Sequence, residues 1–171
     1  MLEKEGLLEL CKRVIRLATE ANLTIGTAES CTGGLVCGAL TDVEGSSAVV
    51  RGGVTSYAVP VKEEVLGVPA SITGDPAVGV VSGECAQSMC EGARRVLRCD
   101  IAVSTTGIAG PGGAEPGKPV GTVWFGVASQ KGARSFVRHF EGDRATVRHE
   151  AVCQAVKLLE EEIATFMPNE R

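Results

Sequence analysis

The stretch Thr27-Ala28-Glu29-Ser30-Cys31-Thr32-Gly33-Gly34 carries the clearest chemical potential in the chain. A serine at the tip of a strand-to-helix turn presents its hydroxyl, and the free amides of the following helix could hold an oxyanion. The same serine could equally be a helix N-cap, since Ser and Thr are favoured there without any chemistry. Cys31 is a second possible nucleophile, but no histidine falls in a nearby turn to activate it. Of the two histidines, His139 alternates within a strand and His149 lies in a charged helix, so both read as structural or solvated.

Lys62 offers another way to activate Ser30. A lysine in an apolar setting loses its proton more readily and can act as a base. It follows Tyr57, the one tyrosine, and a Ser–Lys pair assisted by a tyrosine hydroxyl is a known alternative to a histidine triad. On sequence pattern alone, however, Lys62 reads better as part of the surface face Val61-Lys62-Glu63-Glu64. A third segment, Thr105-Thr106-Gly107-Ile108-Ala109-Gly110-Pro111-Gly112-Gly113, offers successive amides that could cradle an anion. Within it, Gly112 to Lys118 has the spacing of a nucleotide-binding P-loop. Pro119 stands where the magnesium-binding Ser or Thr belongs, however, and a strand follows where that motif needs a helix. A looser anion-binding loop is what remains.

These residues need a frame. Leu7, Cys11, Val14 and Ala18 recur at helical spacing across Leu7 to Ala21, where Asn22 ends the helix. Leu23 to Ala28 reads as a strand, and a second helix runs from the serine turn to about Leu40. Val49 to Tyr57 is a strand whose Arg51-Gly52-Gly53 suggests a bulge or a close backbone approach. Pro60 suits the first turn of a short helix carrying Lys62. After a loop with Pro69, Gly74 and Pro76, Ser82 caps a helix whose apolar face includes Cys85, Met89, Ala93, Val96 and Leu97. Ile101 to Thr105 is a buried strand running into Thr106-Gly107. The segment 107–119 holds five Gly and three Pro, too many for a regular element. Val120 to Ala128 and Arg134 to Phe140 form a hairpin, and Asp143 caps a last helix.

Strands and helices alternate early and a hairpin closes the sheet. That order predicts an α/β domain: a three-layer α/β/α sandwich with a mixed, mostly parallel sheet and one reversed strand, over residues 1–171. Ligands of such folds settle at the carboxyl ends of strands, so the Gly-rich turns at 30–34, 51–53 and 106–113 are expected to converge.

Composition narrows the function. A chain of 171 residues that is 44% hydrophobic is globular and of single-domain size. Its net charge of −4 and scattered cations exclude a general nucleic-acid binder, though not a protein with a small anionic ligand. Seven cysteines at irregular spacing, with no C-x-x-C pair, make neither a disulfide framework nor a metal site and suit a reducing compartment. No apolar run reaches membrane length and the charged N-terminus is no signal peptide, so a cytoplasmic location is expected.

The motifs resemble the CinA C-terminal domain family. The likeness is carried by the serine string 27–34 and by Arg51-Gly52-Gly53-Val54, Tyr57, Lys62 and Leu66-Gly67-Val68-Pro69. Thr106 to Gly113 and Lys118-Pro119-Val120-Gly121-Thr122-Val123 extend it in the same order. The family acts as nicotinamide-nucleotide amidohydrolases, releasing ammonia from nicotinamide mononucleotide to give nicotinic acid mononucleotide. The resemblance implies a three-layer α/β/α fold, with Ser30 as nucleophile, Lys62 as its base and Tyr57 close by. It also implies a homodimer, and the reaction calls for neither metal nor organic cofactor. Longer members carry an N-terminal pyrophosphatase domain, which the early start of the match leads us to expect absent. The oxyanion is then expected on amides of Cys31, Thr32, Gly33 and Gly34, with Thr106 and Gly107. The phosphate is expected on the glycine loop, with Thr105, Gly110, Gly112 and Gly113. Arg51 beside Gly52, or Lys118, would supply the counter-charge, though Arg51 could equally be a structural strand-end residue. Two departures stand out: Tyr57-Ala58-Val59 replaces the family's Tyr-Ser-Asn, and Val78-Gly79-Val80-Val81-Ser82 replaces His-Gly-Ala-Val-Ser. The lost Asn bears on substrate preference.

Overall fold

Side chains along a strand point alternately to the two faces of its sheet, and β1 (Ile25–Glu29) uses this to build two different layers. Ile25, Thr27 and Glu29 face one side, and Ala28, followed by Ser30, faces the other. All five β1 residues are buried, as expected of a strand covered on both faces. The structure, a computed structural model, describes residues 4–167. Met1 to Glu3, part of the segment read above as no signal peptide, lie outside them.

Ile25 belongs to the larger core, which α1 (Lys4–Glu20), α2 (Leu35–Thr41) and α6 (Arg144–Ala164) complete through Leu10, Val14, Leu40, Val152, Val156 and Leu159. Ala28 belongs to the smaller core, built with Leu66, Val68 and the Cys85, Met89, Cys90 and Ala93 face of α5 (Gly83–Leu97). Three layers result. Val96, expected on that face, is instead 43% exposed. No helix among the described residues is long and apolar enough to cross a membrane.

The remaining strands are β2 (Val50–Thr55), β3 (Ile101–Gly107), β4 (Thr122–Ser129) and β5 (Gly132–His139), in the spatial order β2-β1-β3-β4-β5. β2 and β3 pair parallel to β1, and the β3–β4 and β4–β5 ladders are antiparallel. Four strands therefore share a direction with β4 alone opposed, while the ladders divide evenly between the two types. β1, β2 and β3 end together at Glu29, Thr55 and Gly107, and the site forms at that edge.

Local chemistry sets several boundaries. Asn22 adopts φ 53°, a left-handed conformation that stops α1. Ser82 and Asp143 cap α5 and α6 by accepting from the amides of Cys85 and Thr146. The bulge read at Arg51 lies between the pairs Ile25–Val50 and Gly26–Gly52. A side chain at Gly53 would place its Cβ 2.5 Å from the Thr27 hydroxyl. Within the loop expected around Pro69 and Pro76, Ala70–Thr73 forms a single helical turn, α4.

The short helix α3 (Val59–Glu64) starts without a side-chain cap, because its N-cap is Ala58 in extended conformation. Its second residue, Pro60, has no amide to satisfy, which leaves that of Val61 for a capping oxygen. Ala58→Ser should supply one and stabilise the fold by about 1 kcal/mol. In a thermal melt that is a rise of roughly 2–4 °C for a domain of this size.

Candidate active site

The turn after β1 is not a helix start. Gly33 and Gly34 take positive φ values of 65° and 96°, which favour glycine, and α2 begins only at Leu35. Ser30 therefore does not cap α2. Glu29 does that work from a buried position. Its carboxylate accepts from the amides of Gly34 (2.9 Å), Val36 (3.0 Å) and Cys37 (2.8 Å) and from the hydroxyls of Thr32 (2.6 Å) and Thr27 (3.1 Å). Five donors around one carboxylate fully satisfy a charge that would be costly to bury alone. The serine hydroxyl is left unspent.

Alternation turns Ser30 toward the α5 side, where α3 brings in Lys62. The Lys62 side chain is 1% exposed and its Nζ lies 2.9 Å from Ser30 Oγ. It also donates to the carbonyls of Ser56 (2.5 Å) and Tyr57 (3.3 Å). Among the described residues Lys62 forms no ion pair. Burial pushes its pKa below the ordinary lysine value. The neighbouring thiols of Cys31 and Cys85 are each raised to about 11, chiefly by burial, so they are neutral at pH 7 and give it no counter-charge. In the neutral amine the two N–H groups serve the two carbonyls and the lone pair remains for the serine proton. That arrangement suits general-base activation of an alcohol.

The other predicted residues divide. Gly33 donates its amide to Ser30 O and Gly34 to Glu29, so neither amide is available to an oxyanion. The amides of Cys31 and Thr32 have no acceptor among the described residues, although Thr32 is fully buried. Thr105, Thr106 and Gly107 frame the site. Thr105 accepts the Ser30 amide on its carbonyl and pairs its hydroxyl with that of Thr32 at 2.7 Å. Thr106 donates to Val80 O. Gly107 lies so near β4 that an added Cβ would meet Thr122 O at 2.5 Å. Gly110 sits in the buried part of the loop, and Gly112 and Gly113 in its exposed part.

Three expectations need correction. Arg51 and Gly52 lie at the amino end of β2, about 13 and 10 Å along the strand from Thr55 at the rise of an extended chain. Parallel pairing with β1 puts them at the edge opposite Ser30. There Arg51 acts on Asp100, where hydrogen bonds from Thr24 and the charges of Arg94 and Arg51 overcome the effect of burial and hold the carboxyl below its usual value. Tyr57 meets Lys62 through its carbonyl, whereas its hydroxyl points outward, 3.4 Å from Arg144 Nη2, with the residue 63% exposed. Lys118 spends its charge on Val78 O and Glu115.

Sequence reasoning missed Glu29, Arg144 and Arg148. Arg144 holds the carbonyl of Gly110 at 2.9 Å and reaches Tyr57, tying the glycine loop to the serine side. Arg148, one turn further along α6, holds the carbonyls of Cys31 (3.1 Å) and Thr32 (3.0 Å). The i, i+4 spacing of two arginines at a capped helix start was the available signal, since it sets both on one helix face.

Fold and site together define a three-layer α/β protein with a half-buried serine beside a buried lysine at the carboxyl edge of its sheet. The chain belongs to the CinA C-terminal domain family, which its residues 7–163 match. It is 44% identical over 155 residues to a CinA-like protein of Anaeromyxobacter dehalogenans, covering 91% of this chain and 38% of that one. It is likewise 44% identical over 135 residues to a CinA-like protein of Geobacter metallireducens, covering 79% and 32%. The chain thus spans about a third of the length of these relatives. Among solved structures it is similar to a CinA superfamily protein from Klebsiella pneumoniae, with a TM-score of 0.87, 36% identity and coverage of 93% and 98%. The competence/damage-inducible protein CihA from Agrobacterium tumefaciens is similar at a TM-score of 0.86 and 38% identity, with coverage of 92% and 95%.

Proposed function

We propose that this chain is an amidohydrolase that releases ammonia from nicotinamide mononucleotide through an acyl-enzyme on Ser30. The observation that carries the reading is the 2.9 Å contact between Ser30 Oγ and the buried Lys62, which forms no ion pair among the described residues. The family link supports nicotinamide mononucleotide as the substrate.

In this reading neutral Lys62 takes the Ser30 proton as Oγ attacks the carboxamide carbon. The carbonyl oxygen becomes an oxyanion, with the Cys31 amide the nearest unspent donor in the turn; one such donor is worth about 3 kcal/mol of barrier. The C–N bond then breaks, Lys62 returns the proton to the departing nitrogen, and ammonia leaves. Water adds to the ester, giving up its proton to Lys62, and collapse releases the acid and restores Ser30. Arg144, at the rim beside Tyr57, replaces Arg51 as the proposed counter-charge for the substrate phosphate. The protein acts on a small nucleotide, without nucleic acid or membrane, and as a homodimer.

Val59, 39% exposed where the family's Asn is usual, favours a second possibility: the same chemistry on a different carboxamide. Ammonia measured with nicotinamide mononucleotide, nicotinamide and glutamine separates the two. We expect turnover of the nucleotide alone. Release from glutamine but not the nucleotide would favour the second reading. Tight nucleotide binding without ammonia would make this a non-catalytic binding module.

A further inference from the structure

The turn that presents Ser30 has a weak point. Continuous helix would give the carbonyls of Cys31 and Thr32 the amides of residues 35 and 36. Here Leu35 N reaches Thr32 O only at 3.4 Å, and Val36 N is taken by Glu29. The Cys31 carbonyl, in a residue only 6% exposed, has a single partner among the described residues, the Nε of Arg148. Nη2 of the same guanidinium holds Thr32 O, and a side chain at Gly33 would come within 3.4 Å of it. Arg148 comes from α6, 118 positions beyond Ser30, on a helix that packs against β3 and β4. It is not near enough to Lys62 or Ser30 for any hydrogen bond to either.

We propose that Arg148 is a positioning residue, which holds the Ser30 turn in attacking geometry by forking onto the carbonyls of Cys31 and Thr32. The inference rests on the Ser30–Lys62 reading above. A planar guanidinium presents two donors on different nitrogens in a rigid fork, so it fixes the relation of two consecutive carbonyls, whereas the shorter lysine, with rotatable donors on one nitrogen, does not reproduce that fork. Losing the fork frees the turn to shift, and displacement of about 1 Å costs on the order of 100-fold in rate. Substrate affinity is untouched, because Arg148 faces the backbone of the turn and not its open side.

The test uses a fluorophosphonate, which reports on the nucleophile whatever the natural substrate. Ser30 Oγ forms a bond to phosphorus as the P–F bond breaks; fluoride leaves and the proton passes to Lys62. Wild type should be labelled at Ser30. Arg148→Met should be labelled roughly 10- to 100-fold more slowly, with kcat for ammonia release down by the same factor and KM within about threefold. Arg148→Lys, which keeps the charge and the stem, should show the same defect, so the test survives poor folding of the methionine variant. Added guanidinium should restore Arg148→Gly at least tenfold, a rescue that a merely structural role does not give. Wild-type labelling in Arg148→Lys, or a change confined to KM, overturns the inference and leaves Ser30 in place. No labelling of the wild type overturns the Ser30 reading and this inference with it.

Discussion

Ser30→Ala should lower ammonia release by a factor on the order of 10⁴ or more while the protein still folds and binds its nucleotide. The loss is large because the hydroxyl is the only atom in the site that can form the acyl bond, and nothing nearby replaces it. Cys31 is adjacent in sequence, but burial raises its thiol to about 11, which leaves roughly one part in 10⁴ as thiolate at pH 7. The effect on stability is small for a separate reason. The Ser30 hydroxyl bonds only to Lys62 among the described residues, and Lys62 keeps the carbonyls of Ser56 and Tyr57 when that oxygen goes. A single neutral hydrogen bond of this kind is worth about 1 kcal/mol. Ammonia assay, calorimetric titration with the nucleotide and a thermal melt together check the expectation. Substantial turnover in the alanine protein would remove Ser30 from the chemistry.

Features set by local rules could be read directly from the residues. Ser82 and Asp143 cap their helices because a short oxygen side chain before an amphipathic run has one favoured use. The late hairpin and the bulge at Arg51 follow from turn residues and paired glycines. The site needed information that no short window holds. Glu29 could not be recognised as the cap of α2, because its acceptors are spent on amides five to eight residues ahead across an irregular turn. Arg148 reaches the carbonyls of Cys31 and Thr32 only after α6 folds back over the sheet. Arg51 shows the complementary error. Its glycine-rich setting was legible, but which end of β2 lies near Ser30 depends on the parallel register with β1. Lys62 fits its charged neighbours as a surface residue, and only the docking of α3 buries it.

Lys62→Met should lower kcat/KM by roughly 10³-fold at neutral pH, within the range typical of a positioned general base. The pH dependence gives the role its signature. Only the neutral amine has a lone pair for the Ser30 proton, so wild-type activity should climb with pH as Lys62 deprotonates. Because burial lowers its pKa, that limb should lie below the ordinary lysine value of 10.5. The methionine variant should lose both the rate and the limb. Stability carries a linked effect of defined sign. Between the lowered pKa of the folded protein and 10.5, the unfolded chain binds a proton at Lys62 that the folded one does not. Stability therefore rises with pH across that window, and Lys62→Met should remove this contribution to the slope. Both measurements depend on one fact, that the lysine is buried beside the serine and, among the described residues, forms no ion pair with a carboxylate. If the methionine variant keeps the wild-type rate and its ascending limb, another group takes the proton, and the close contact between residues 30 and 62 is only a hydrogen bond of the fold.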